Sequence, residues 1–394
     1  MNWKDLFSLI LACMLLCGMA LPGAAAEDSL FTEEMVQRSL LSVGNTARIH
    51  AAMEKARQGQ DVTLVYLGGS ITEGASASPQ KTHCYAALSA KAFAEKFAAD
   101  PEKAHYVNAG ISGTPSRLGI TRLEQDVLSK SPDVVFIEFA VNDAKDKQSQ
   151  MVSESLVRRL LQSETQPAVV LIFTLLNSGY SCQPHMSQIG AYYDLGMISV
   201  KNALQPEFTA GRMQFSDYSK DYAHPTTEGH AFIADMLAYY FDQAAASPAA
   251  PYTMPETPVI GNFCEDLKNI RPGDPIIKTE GSFPQAVVAC YSYLKGWKHT
   301  MFTKADPMVL EIQGGPMFIV FKQENNAKCG NMEVWVDGVL KKTLNGNSPS
   351  AWGNPVTEII GIGDVTKAHT VELRMAEGDQ MKDFSILDIA YVVH

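Results

Sequence analysis

Four short blocks of this chain combine residue types that acyl chemistry on a serine requires. Gly68-Gly69-Ser70-Ile71-Thr72 sets a hydroxyl behind two glycines, where its oxygen is open to a substrate and its backbone N–H can face an anion. Asn108-Ala109-Gly110-Ile111-Ser112-Gly113-Thr114 offers Gly113, whose N–H can approach a reacting carbonyl with no side chain in the way. Phe139-Ala140-Val141-Asn142-Asp143 supplies a side-chain amide, a donor suited to a developing oxyanion. Asp221-Tyr222-Ala223-His224-Pro225 spaces a carboxylate three residues before an imidazole, so that one ring nitrogen can be held while the other faces a serine. Each block taken singly has a plainer explanation. Ser70 can cap a helix, Gly113 can sit in any loop, and Asn142-Asp143 can form a turn. Asp221 and His224 can likewise cap the helix that Pro225 and Thr226 to His230 open.

The elements around the blocks decide between these readings. From about 31 to 243, apolar runs alternate with helical patterns, the grammar of a parallel sheet covered on both faces. The runs are Val62 to Leu67, Tyr106 to Ala109, Val134 to Ala140 and Ala168 to Thr174, with Met213 to Phe215 as a fifth strand. Helices are predicted over Ala86 to Ala99, Leu118 to Ser129 and Glu154 to Gln162. All four blocks then stand in order at strand ends or loops of one α/β sheet, which is where such folds bind ligands.

This ordered set resembles the SGNH, or GDSL-like, hydrolase family, whose four signature letters fall on Ser70, Gly113, Asn142 and His224 over about residues 60 to 242. The resemblance implies a flavodoxin-like three-layer α/β domain and a serine esterase without cofactor or metal. It implies Ser70 as nucleophile, His224 as its base and Asp221 as the group that orients His224. The oxyanion hole would be the N–H groups of Ser70 and Gly113 with the Asn142 amide. The first block departs from the family, reading Gly-Gly-Ser-Ile for Gly-Asp-Ser-Leu, a version that recurs among carbohydrate-directed members. The competing Gly-x-Ser-x-Gly elbow of α/β-hydrolases is absent from the chain. Asp143 is read as a turn acceptor rather than a second acid. His50, His83, His105, His185 and His230 show no paired ligand spacing, so no metal site is expected.

Composition is that of a globular protein of more than one domain, with 394 residues, 46% hydrophobic and 19% charged. A net charge of −11 with no basic run argues against nucleic acid or an anionic membrane as partner. Residues 1–26 read as an export leader: Lys4, an apolar stretch from Leu6 to Leu21, and Ala24-Ala25-Ala26 before Glu27. The protein is therefore expected to be secreted or at the cell surface. An uncleaved N-terminal anchor is the rival reading and the one membrane contact it allows. Cys84, Cys182, Cys264, Cys290 and Cys329 remain after the leader, an odd set without metal or redox spacing, and are read as small buried residues.

Residues 27–243 are assigned to the hydrolase domain and 244–258 to a Pro/Ala linker, on the run Ala244-Ala245-Ala246-Ser247-Pro248-Ala249-Ala250-Pro251. Residues 259–394 read as strands without long helices: Val309 to Ile312, Met317 to Phe321, Met332 to Val336, Thr370 to Arg374 and Ile386 to Val393, with Asp337-Gly338 as a hairpin turn. An all-β sandwich follows. It resembles the carbohydrate-binding sandwiches appended to polysaccharide deacetylases, which makes Trp352 and Trp297 candidate sugar contacts, with Trp335 and Tyr391 behind them. The expected activity is removal of small acyl groups, above all O-acetyl, from a polysaccharide or oligosaccharide through an acyl-enzyme on Ser70. The alternatives are transfer of the acyl group between sugars, a lysophospholipase-type lipid esterase, and a silent glycan-binding surface protein.

Overall fold

The computed structural model describes residues 30–304 and 306–393, so the leader and anchor readings lie outside the described residues. Apolar strands too uniform to leave a wet face must be covered twice, and the first half of the chain does this. Strands β2 (Val62–Gly68), β3 (Ala104–Gly110), β4 (Val134–Glu138), β5 (Ala168–Phe173) and β6 (Gly196–Ser199) run parallel in the order β3-β2-β4-β5-β6, and β1 (Leu40–Ser42) adds an antiparallel edge beside β6. This is the flavodoxin-like order.

Alternate residues of each strand serve opposite faces. On one face Leu64, Tyr66, Phe136 and Val170 pack against α1 (Ala47–Arg57), α3 (Tyr85–Phe97), α7 (Val200–Thr209) and α8 (Thr227–Ala246). On the other, Val65, Leu67, Ile137 and Leu171 pack against α4 (Ser116–Thr121), α5 (Lys147–Gln162) and α6 (Gln183–Tyr192). Between β2 and α3 lies the one-turn helix α2 (Ser70–Glu73).

Three predicted elements differ. The fifth parallel strand is Gly196–Ser199, while Met213 to Phe215 leads into a short helical turn at Phe215–Tyr218. A four-residue strand, buried at every position, carries no alternation to read. The helix expected at Glu154 begins at Lys147, because Asp146 accepts the Ser149 N–H at 2.8 Å and starts it on a polar turn. The helix expected over Leu118 to Ser129 is broken at Arg122 and Val127 into short pieces.

The second half is all antiparallel β. One sheet has the order β15 (Asn354–Ile360), β12 (Met317–Gln323), β17 (Phe384–Val392), β10 (Tyr293–His299), β9 (Gln285–Cys290), with β7 (Leu267–Ile270) also on β17. The other has β14 (Val339–Asn345), β13 (Asn331–Val336), β16 (Ala368–Met375), β11 (Met308–Gln313), β8 (Ile277–Thr279). Their inner faces meet in a core that includes Trp297, Leu310, Met332, Val371 and Ile386. Asp337 and Gly338, at φ +51° and +76°, make the predicted two-residue turn between β13 and β14.

Cys84, Cys182, Cys264 and Cys290 are buried, Cys329 is partly so, and all five are free thiols. Among the described residues no helix is long and apolar enough to cross a membrane.

Candidate active site

The chain leaves β2 toward β3 on one side of the sheet and leaves β4 toward β5 on the other, so the carboxyl ends of β2 and β4 border the crevice where such sheets bind ligands. Ser70 follows β2 and Asn142 follows β4. Gly113 follows β3, the neighbour of β2 on the other side.

Gly69 is the N-cap of α2 and Ser70 its first residue, so the Ser70 hydroxyl does not serve as a cap. It is 7% exposed and lies 2.8 Å from Nε2 of His224. Nδ1 of His224 lies 2.7 Å from Asp221 Oδ2, while Asp221 Oδ1 accepts the N–H groups of Ala223 at 2.7 Å and His224 at 2.8 Å. The three-residue spacing thus closes a turn in which one carboxylate binds both the ring and the backbone that carries it. Desolvation pushes the Asp221 carboxyl up, but the hydrogen bonds from the His224 ring and the two N–H groups outweigh it and hold the group below its ordinary value. The turn is itself anchored: the Ser219 hydroxyl donates to the His224 carbonyl at 2.6 Å. The helix that follows starts at Thr227 with Thr226 as its cap, two residues beyond the start expected at Pro225.

Asn142 faces the turn that carries Ser70. A Cβ at Gly69 would lie 2.3 Å from Asn142 Oδ1 and 3.4 Å from its Nδ2, so the second glycine of the first block leaves room for this amide. An acidic side chain has no space there in this conformation. Among the described residues, Asn142 Oδ1 has no hydrogen-bond partner. Asp143 is an acceptor, but for two neighbouring helices and not for its own turn: Oδ1 takes the Ser116 N–H at 2.7 Å and Oδ2 the Ser153 hydroxyl at 3.0 Å, while burial pushes its carboxyl up to about 6.

Gly113 has φ +71°, a left-handed conformation that glycine takes without strain. Its Cα face is covered by Trp352 of the second domain, since a Cβ there would lie 2.7 Å from Cη2 of that indole. Trp352 is 59% exposed and joins Ser70, Gly113, Asn142, His224 and Tyr222 around an open cavity of about 380 Å³. Tyr222, 66% exposed with its ring centroid 6.4 Å from that of His224, also lines it. Tyr222 is not among the residues expected from sequence, although its place between Asp221 and His224 is a signal that marks it.

Trp297 needs correction. It is 1% exposed in the sandwich core and donates its indole N–H to Glu280 at 3.3 Å, so it has no free face to stack on a sugar. Trp335 is half-buried under the Arg374 guanidinium, 3.9 Å from the ring centroid, and Tyr391 is buried.

Residues 66–232 match the family model described as the GDSL-like Lipase/Acylhydrolase family. Two crystal structures of a two-domain esterase active on acetylated mannans, one of them co-crystallised with mannopentaose, resemble the chain across both domains. At 27% identity they give TM-scores of 0.80 and 0.81, covering 91% of this chain and 98% of theirs. No curated protein matches significantly.

Proposed function

We propose, from the premise that the α/β domain belongs to the GDSL-like lipase/acylhydrolase family and that the chain is a carboxylic ester hydrolase, that this protein is a carbohydrate esterase removing O-acetyl groups from a polysaccharide or its oligosaccharides. Acetylated mannan is the first substrate to try, because the solved enzyme that this chain resembles over both domains acts on it. Export through residues 1–26 would put the enzyme where such polymers are met.

In the reaction, the Ser70 oxygen attacks the acetyl carbonyl carbon while His224 Nε2 takes the hydroxyl proton. The carbonyl oxygen becomes an oxyanion in reach of the Ser70 and Gly113 N–H groups and the Asn142 amide. Collapse breaks the ester bond, the sugar oxygen leaves with the proton from His224, and acetyl-Ser70 remains. Water then attacks that ester, giving its proton to His224, and Ser70 recovers a proton as acetate departs. Asp221, ionised because its hydrogen bonds stabilise the charge, holds the ring in the tautomer that accepts at Nε2.

The observation that carries this reading is the unbroken run from Asp221 through His224 to Ser70 at 2.7 and 2.8 Å, opening on a cavity walled by an exposed indole. Trp352 and Tyr222 would hold the sugar by stacking while the acetyl group enters. Acetate release from acetylated mannan and xylan oligosaccharides tests it. Wild type should release acetate and Ser70→Ala should lose about a thousandfold or more. Equal release by both would remove Ser70 from the mechanism, and none by wild type would remove the esterase.

A further inference from the structure

Two segments form the carboxyl ends of β2 and β3, and side chains to which the proposed reaction gives no role fasten them to each other. Gly68 to Glu73 carries Ser70, and Asn108 to Thr114 carries Gly113. The two run in contact, since a Cβ at Gly110 would lie 2.2 Å from the Glu73 backbone nitrogen. The Ile111 N–H donates to the Gly68 carbonyl at 3.1 Å, one residue past the end of β3. Asn108 holds the roots of both segments together: its Nδ2 donates to the Thr72 carbonyl at 2.8 Å and its Oδ1 accepts the Gly110 N–H at 2.9 Å.

Glu73 makes the link nearest Gly113. It stands three residues after Ser70, at the end of α2. Its Oε2 accepts the Ser112 N–H at 2.9 Å and the Ser112 hydroxyl as well. A residue held by both its N–H and its side chain keeps ψ as its main backbone freedom, and the ψ of Ser112 aims the peptide plane whose N–H belongs to Gly113. Beyond Gly113, the hydroxyl of buried Thr114 donates to the Ile111 carbonyl at 2.7 Å and closes the turn. Ser112 lines the cavity that holds Ser70, whereas Glu73 is not among its lining residues. Glu73 is therefore placed to act through Ser112 and not on an ester in that cavity.

We propose that Glu73 is a positioning residue that, through Ser112, sets the Gly113 N–H against the Ser70 oxygen, so that nucleophile and donor are carried by one fastened unit. The inference rests on the esterase reading with the Gly113 N–H as oxyanion donor. A misplacement of about 1 Å can slow an enzyme about a hundredfold. An amide oxygen in place of the carboxylate oxygen can accept the same two hydrogen bonds, whereas a methyl group can accept neither.

The test is steady-state kinetics on 4-nitrophenyl acetate, an ester without sugar, with the melting temperature as a check on folding. Glu73→Ala should lower kcat about ten- to a hundredfold with KM within about twofold of wild type. Glu73→Gln should restore most of that loss, which a role for the charge or for proton transfer would not allow. Ser112→Ala deletes one of the two donors and keeps the other, so it should lower kcat about three- to tenfold. A folded Glu73→Ala with wild-type kcat, or with its loss in KM alone, would overturn the inference and leave the esterase intact. Glu73→Gln as slow as Glu73→Ala would overturn it too. If Glu73→Ala does not fold, Ser112→Ala carries the test, and wild-type kcat in that variant is the overturning result. A wild type that cleaves neither 4-nitrophenyl acetate nor acetylated mannan would remove the esterase reading and this inference with it.

Discussion

Asn142 is held against Gly69, and that contact couples the two strand ends that meet at Ser70. If the amide is an oxyanion donor, Asn142→Ala should reduce kcat about a hundred- to a thousandfold while KM moves little. Gly69→Ala should act in the same direction and more weakly, because the new methyl would arrive 2.3 Å from Oδ1 and push the amide away without deleting it. Steady-state kinetics on an aryl acetate decide both; full activity in Gly69→Ala would mean that the amide moves freely. Much of this site was visible in the residues themselves, since Ser70, Asn142, Asp221 and His224 lie within short local blocks whose chemistry is written in residue type. Trp352 had no such signal for its place beside Gly113. A domain boundary and more than a hundred residues of intervening chain separate the two, and nothing local encodes that contact.

The strand ends also bury a carboxyl that the proposed reaction does not use. Glu138 closes β4, fully buried, accepting the Thr174 hydroxyl at 2.6 Å and the Thr72 hydroxyl at 3.4 Å. Burial pushes its carboxyl up from 4.5 to about 7. The folded chain therefore keeps a proton that the unfolded chain gives up, so the stability this group contributes is full below about pH 4.5 and is lost as pH rises through about 7. Asp143 and Asp388, raised by burial to about 6 and about 7, act with the same sign, and only the change made by one variant isolates Glu138. Glu138→Gln should reduce the fall in unfolding free energy between about pH 5 and 7.5 by about 1 to 3 kcal/mol, read from urea denaturation across that range. An unchanged slope would mean that the carboxyl is not held neutral. Element identity followed local pattern wherever a strand or helix was long and periodic, as in β2 and α3. It failed at β6, too short to show a period, and at the first turn of α5, where Lys147, Gln148, Ser149 and Gln150 are polar and the Asp146 cap does the work.

At the scale of the molecule, the proline-punctuated segment after α8 lies along the α/β domain as a strap. The Pro248 carbonyl accepts from Thr46 at 3.0 Å, and Tyr252 lies under the Arg48 guanidinium. Buried Glu154 on α5 accepts the N–H groups of Val259, Ile260 and Gly261 at 2.6 to 2.7 Å and the Tyr193 hydroxyl at 2.7 Å. Arg158, one turn on, binds Glu265 at 2.6 Å and the carbonyls of Pro255 and Glu256. Glu154→Ala would strand three N–H groups and should cost about 2 to 4 kcal/mol, seen as a lower urea midpoint. If the strap also sets the docking of the sandwich, kcat on an aryl acetate should fall with it. A midpoint within error of wild type would show that the strap is held by its other contacts. The sequence by itself determined the two fold classes, because hydrophobic period is local, and it singled out Ser70, Asp221 and His224 as candidates, because each stands in a short block whose residue types are local. Tertiary structure alone decided that Trp297 is core and Trp352 is wall, since burial depends on what packs against a side chain. It also decided that the second domain completes the cavity of the first, a contact made between residues that no short stretch of sequence contains.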